Sequence, residues 1–160
     1  MRDARVDLKY LFVFFAVLSL TVTGCGSGNP PESTVNSESQ ATVVEPNLDA
    51  LLATADVKRG QMLYLQCRAC HSLNDGGANK VGPNLYGMFG KKAGQVPGFV
   101  YSDVMTGSEV VWNSDTVDAW IARPSEFMPG NQMVFVGVRD SQDRANLIAY
   151  LLQETGASTD

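Results

Sequence analysis

Histidine is nearly missing from this chain: there is one among 160 residues, with three cysteines, two tryptophans and no surplus of positive charge. A lone histidine limits any histidine-based metal cluster to one ligand, which excludes the usual zinc enzyme sites. Three cysteines are an odd count, so no disulfide framework uses them all. Twelve Lys and Arg against seventeen Asp and Glu leave a formal net charge of −5. A polyanionic backbone is bound mostly through electrostatics, so nucleic acid is not an expected partner. Long apolar runs are also scarce. Crossing a hydrocarbon core of about 30 Å takes roughly 20 apolar residues, and the one candidate run, Tyr10 to Leu20, is soon interrupted by Gly24, Gly26 and Gly28.

What is present divides the chain. Arg2, Arg5 and Lys9 precede that apolar run, and Val22-Thr23-Gly24-Cys25 follows it, the layout of an export signal. The approach to Cys25 resembles the lipobox of bacterial lipoproteins, which implies a signal peptide over 1–24 and a lipid anchor on Cys25. An uncleaved signal anchor and ordinary cleavage with release are the alternatives. Residues 25–52 then read as the lipidated cysteine and a disordered tether, because Pro30-Pro31 and a run of Ser, Asn, Thr and Glu bury too little apolar surface to offset the entropy of ordering. As a flexible coil, such a tether reaches about 30 Å. The expected location is exported and membrane-anchored, facing the periplasm or another extracytoplasmic side.

Residues 53–160 read as one small all-α domain. Asp56 suits a helix N-cap, and Val57, Met62, Leu63, Tyr64 and Leu65 lead helically into Cys67 to His71. Glycines with Pro83 and Pro97 make long loops of 74–107, which a compact domain rarely carries without something to pack around. Ser114-Asp115-Thr116 opens a short helix that Pro124 stops. Met133 to Val138 reads as an apolar loop. Ser141 suits the cap of a last helix whose buried face is Ala145, Leu147, Ile148, Leu151 and Leu152, ending at Gly156. No alternating strands and no internal repeat are evident.

Cys67-Arg68-Ala69-Cys70-His71 is C-x-x-C-H, the attachment signal for c-type haem. Each thiol adds across one vinyl group, and one helical turn brings His71 to the iron. A structural zinc site would need four ligands, and the folded part offers no further Cys or His. A thioredoxin-like dithiol wants a strand before the motif, where a helix is expected here. A disulfide closing so short a loop would constrain little.

Around this motif, Gly82-Pro83-Asn84-Leu85, the run Gly94 to Phe99, Val111-Trp112, the run Met128 to Val138, and Asn146 to Leu151 closely resemble class I cytochrome c of the mitochondrial type, over about Ala55 to Glu154. With Cys25, the resemblance is to a membrane-anchored bacterial lipoprotein form. It implies a small all-α fold whose first and last helices cross around one covalent haem c. It also implies iron ligated by His71 and Met133, a Pro83 carbonyl accepting the other ring N–H of His71, and Tyr101 and Trp112 bonding a buried propionate. Met128, which also flanks the Pro129-Gly130 turn, is the rival to Met133, while Met62 and Met88 read as packing residues. Gly60 and Tyr64 are matched to helix residues that meet Leu147 and Tyr150.

Three departures stand out. Lys91 replaces a usual arginine near the propionates, and Trp120 replaces a tyrosine near the axial sulfur. Gln66, Gln132 and Ser125-Glu126 replace lysines around the haem edge, which weakens charge steering. The implied function is one-electron transfer, without enzymatic activity, between a donor such as a quinol:cytochrome c oxidoreductase or dehydrogenase and an acceptor such as a terminal oxidase. The membrane is reached through the lipid anchor. A small haem peroxidase and a haem-bearing sensor or assembly subunit are the alternatives.

Overall fold

The computed structural model describes residues 47–156. The expected signal peptide 1–24, Cys25 and the tether as far as residue 46 lie outside the described residues. Six helices follow in order: α1 (Leu48–Ala53), α2 (Val57–Tyr64), α3 (Asp103–Thr106), α4 (Ser114–Ala122), α5 (Pro124–Phe127) and α6 (Ser141–Glu154). Among the described residues there is no strand, only an isolated antiparallel bridge between Lys92 and Val111. None of these helices is long and apolar enough to cross a membrane.

The start of the folded part differs from the expectation. Residues 48–52 fall within the expected tether, yet with Ala53 they form α1, capped by the Asn47 side chain accepting from the Asp49 N–H. Leu48 and Leu52 lie on one face, four residues apart, and pack against the core. Gln142 of α6 donates to the Leu51 carbonyl at 3.2 Å. Tertiary burial of the leucines thus orders a helix too short to persist alone.

Helix α2 begins where Asp56 was expected to cap it, its carboxylate accepting from the N–H groups of Lys58 and Arg59. It packs across α6 at a close approach that only glycine permits. A Cβ at Gly60 would fall onto the Asn146 backbone carbonyl and lie 2.8 Å from the Tyr150 Cβ. The Tyr64 and Tyr150 rings meet at 5.6 Å. Asn146, buried at this crossing, accepts the Asp56 N–H at 2.8 Å. Arg59 grips the Asp143 carboxylate with two bonds, of 2.9 and 2.7 Å.

Helix α6 is capped by Asp140, which accepts the Asp143 N–H; Ser141 is its first helical residue rather than its cap. Its buried residues include Ala145, Leu147, Ile148 and Leu151, as expected, together with Asn146 and Tyr150, while Leu152 is only partly buried. Helix α4 carries a reciprocal capping box between Asn113 and Thr116 and buries Val117, Trp120 and Ile121. Arg144 joins α6 to α4 through Asp118, at 2.7 and 3.3 Å. Pro124 does end α4, but it also opens α5, where its missing N–H costs nothing. Met62, expected to pack inside, is 63% exposed.

Candidate functional site

The turn that follows α2 brings Cys67, Cys70 and His71 to the wall of a cavity of about 550 Å³. The N–H groups of Cys70 and His71 both donate to the Cys67 carbonyl, at 3.0 Å. This fixes the two sulfurs and the ring on one short arc. Both thiols are free, and burial, with a smaller contribution from Cys70, pushes the Cys67 thiol up to about 11. The residues 80–83 clasp the turn from outside. Gly82 N–H donates to the Cys70 carbonyl at 2.8 Å, and the Lys80 ammonium donates to the carbonyls of Arg68 and His71 at 2.8 and 3.0 Å. The Tyr64 hydroxyl also donates to the His71 carbonyl, at 3.1 Å.

The His71 ring has one outside partner, the Pro83 carbonyl, 2.8 Å from Nδ1. A carbonyl only accepts, so Nδ1 carries the proton and Nε2 keeps its lone pair. Burial lowers the imidazole pKa below its ordinary value; the Pro83 bond opposes this, and the Lys80 charge adds to it. The ring is therefore neutral at neutral pH, the state in which imidazole binds a metal. Gly82 lies flat against it: a Cβ there would come within 2.8 Å of both ring nitrogens.

The remaining expected residues meet at the same cavity. Pro83, Tyr101, Trp112 and Met133 all line it, as do Lys91, Trp120, Gln66 and Gln132. Met128 does not: it is buried in the core at 7% exposure, so of the two candidate thioethers only Met133 lies at the cavity wall. Met88, expected to pack, is partly buried against the core and also lines the cavity. Backbone pairing of Gly90 N–H with the Trp112 carbonyl, 2.8 Å, and of Trp112 N–H with the Lys91 carbonyl, 2.9 Å, holds these two loops together. Trp112 packs on Trp120 with ring centres 5.6 Å apart, and Trp120 meets Phe127 edge-on at 6.0 Å. Burial raises the Tyr101 phenol above its ordinary value, so its hydroxyl stays a donor.

Two contributors went unnoticed in the sequence. Ser102 lines the cavity with a buried hydroxyl that has no protein partner. Buried hydroxyls are seldom left unpaired, and this one marks where a polar group of the occupant belongs. Its signal was adjacency to Tyr101 in the segment of resemblance. Lys80 had no signal, because its partners are backbone carbonyls that only the fold brings near.

The donor set and the cavity agree on what fits. Leu85, Phe99, Ile121, Leu147 and Leu151 give it apolar walls, while Tyr101, Ser102, Trp112 and Lys91 supply donors at its margin. The volume falls within the range of about 300–1,000 Å³ typical of cofactor sites. A flat, mostly apolar prosthetic group with a polar edge, held by two thioethers and met by a neutral imidazole, satisfies every one of these features. The domain is thus of the c-type haem class.

Residues 57–155 match the family model for cytochrome c. The chain is 39% identical to cytochrome c of Theileria parva over 110 residues, covering 68% of this chain and 95% of that protein. It is 42% identical to cytochrome c of Chlamydomonas reinhardtii over 101 residues, 62% of this chain and 90% of the relative. With cytochrome c2 of Blastochloris viridis the identity is 41% over 101 residues, 63% of this chain and 80% of the relative. The chain belongs to the cytochrome c family. It is a haem-based electron carrier rather than an enzyme, with one covalently bound haem c and its iron, and its partners are redox proteins.

Proposed function

We propose that this cytochrome is a membrane-tethered, His/Met-ligated one-electron carrier working outside the cytoplasm, between a quinol-oxidising complex or dehydrogenase and a terminal acceptor. Cys67 and Cys70 would hold the haem through thioethers, and His71 and Met133 would bind its iron. The bound haem supplies a reversible couple between ferric and ferrous iron, which thioether ligation shifts towards the ferrous form. The observation that carries this reading is the pairing of His71, with Nδ1 committed to Pro83, and Met133 on one cavity, while Met128 is withdrawn into the core.

With His71 and Met133 both committed to the iron, no small molecule would have a place to react there. Trp120, Ile121, Leu147 and Phe135 exclude water from the cavity, which keeps the change of charge from reorganising solvent. Tyr101, Trp112 and Ser102 donate to the polar margin, and the Lys91 ammonium adds a positive charge there. Of the residues lining the cavity, Gln66, Val81, Gln132 and Val134 are exposed and uncharged, and the two exposed charges, Asp75 and Lys91, are of opposite sign. Such a surface gives little long-range steering. A tether offsets this by raising the effective concentration of partners in the same membrane.

Carbon monoxide added to the untreated ferrous protein tests the ligation. No binding is expected, whereas ready binding would favour the peroxidase reading. Mass spectrometry of protein purified from membranes tests the tether. One haem on the peptide with Cys67 and Cys70, and a lipid on an N-terminal Cys25, are expected. An unmodified Cys25 behind an intact N-terminus would move the anchor to the apolar segment 10–20.

A further inference from the structure

The segment that delivers Met133 is unusually dependent on one side chain. From Pro129 to Gly137 there is no regular structure, and every hydrogen bond this segment makes within the protein involves Asn131. The next anchor along the chain is the Val138 N–H on the Ile121 carbonyl, at 2.8 Å. Asn131 uses both of its amide N–H donors and its carbonyl oxygen. Its Nδ2 donates to the Pro124 carbonyl at 2.9 Å and to the Met128 carbonyl at 2.8 Å. Its Oδ1 accepts the Met133 N–H at 2.8 Å. The two carbonyls belong to the first residue and the C-cap of α5, a four-residue helix; each also accepts a backbone N–H at 3.1 Å, Pro124 from Met128 and Met128 from Asn131.

We infer that Asn131 is a positioning residue: its amide ties the Met133 loop to α5 and sets how readily Met133 gives way to an outside ligand. The inference rests on the proposal that Met133 is an axial ligand. Its logic is local. Neither Pro129 nor the exposed Gln132, Val134 and Val136 offers another tie. Moving Met133 off the cavity therefore means breaking the Asn131 bonds and lifting the Met133 and Phe135 side chains from the core they pack against, with no other hydrogen bond of the segment to lose. The packing of Trp120 and Met128 behind the loop stays in place either way, so the swing is confined to a short stretch.

The test uses the purified holoprotein in its ferric form and follows the rate at which imidazole binds, with the near-infrared sulfur charge-transfer band as the reporter of Met133. Asn131→Ala removes all three bonds. Asn131→Ser keeps a hydroxyl able to accept the Met133 N–H two residues on, but it does not span to Pro124. Both variants are expected to bind imidazole roughly ten-fold faster than the native protein, as loss of net hydrogen bonds from the closed state predicts. Asn146→Ala, which breaks the bond to Asp56 at the α2–α6 crossing away from this loop, is expected to lower the melting temperature while leaving the imidazole rate unchanged. Native rates in both Asn131 variants would overturn the inference. So would an equal acceleration in Asn146→Ala, since general loosening would then account for the effect. If the native protein itself lacks the sulfur band, the ligand assignment fails first, and the inference falls with it.

Discussion

Replacing Gly82 by alanine should strike the His71 ring directly. The added methyl would sit 2.8 Å from Nδ1 and from Nε2 and closer still to Cε1, and ordinary contact begins near 3.4 Å. The ring must retreat by about 0.6 Å at both nitrogens, the difference between those two distances. It has nowhere to go without lengthening the 2.8 Å bond from Nδ1 to the Pro83 carbonyl. Gly82 cannot yield instead, because its own N–H is held by the Cys70 carbonyl at 2.8 Å. Overpacking of this kind costs about 1–3 kcal/mol, and weakening a buried hydrogen bond adds about 1 kcal/mol. A total of about 2–4 kcal/mol corresponds to a melting temperature lower by roughly 8 °C or more for a domain of this size. Thermal unfolding of the holoprotein measures the first effect. The reduction potential measures the second, since an imidazole pulled from Pro83 is a weaker donor to the iron. A variant with native melting temperature and native potential would refute the close approach, and with it the orientation assigned to His71.

Other outcomes follow from the same structure. Gly60→Ala should destabilise by about 1–3 kcal/mol or more, because its methyl meets the Asn146 backbone rather than a movable side chain; unfolding by denaturant at unchanged m-value checks this. The hydrogen bond from Arg59, opposed by partial burial and reinforced by the Arg59 charge, holds the Asp143 carboxyl below its usual range. Its stabilising contribution is therefore complete above the ordinary carboxylate range and is lost as pH falls through the lowered value. Asp143→Asn should flatten the acid limb of the stability profile and leave the neutral region parallel to native; an unchanged acid limb would contradict the pairing. With Gln66, Val81, Gln132 and Val134 uncharged and the exposed Asp75 and Lys91 of opposite sign, electron transfer to the partner should be only weakly sensitive to ionic strength, and a steep fall between low and physiological salt would count against this.

Much of this site was written in contiguous residues, and those parts could be read. C-x-x-C-H declares itself because the two thiols and the imidazole sit on one turn, and Asp56 and the α6 stripe follow from helical spacing alone. Met133 was separable from Met128 only through the resemblance; in the fold, the difference is that one lines the cavity and the other is buried behind it. The misreadings have physical reasons. The first five residues of α1 read as tether because so short a stretch carries too little periodicity, and its order comes from Leu48 and Leu52 finding the core. Helices α3 and α5, of four residues each, fall below what any pattern reveals. Asp140 and Ser141 are both good caps, so the sequence leaves that boundary uncertain by one residue. Lys80 and Asn131 act on backbone carbonyls, which have no side-chain signature.

Two methionines, Met133 and Met128, could supply the sulfur that would bind the iron together with His71. The decisive measurement is the near-infrared absorption of ferric holoprotein in two variants, Met133→Ala and Met128→Ala. Loss of the sulfur charge-transfer band in Met133→Ala, with the band intact in Met128→Ala despite a lower melting temperature, is the predicted result. A band that survives in Met133→Ala would contradict the account.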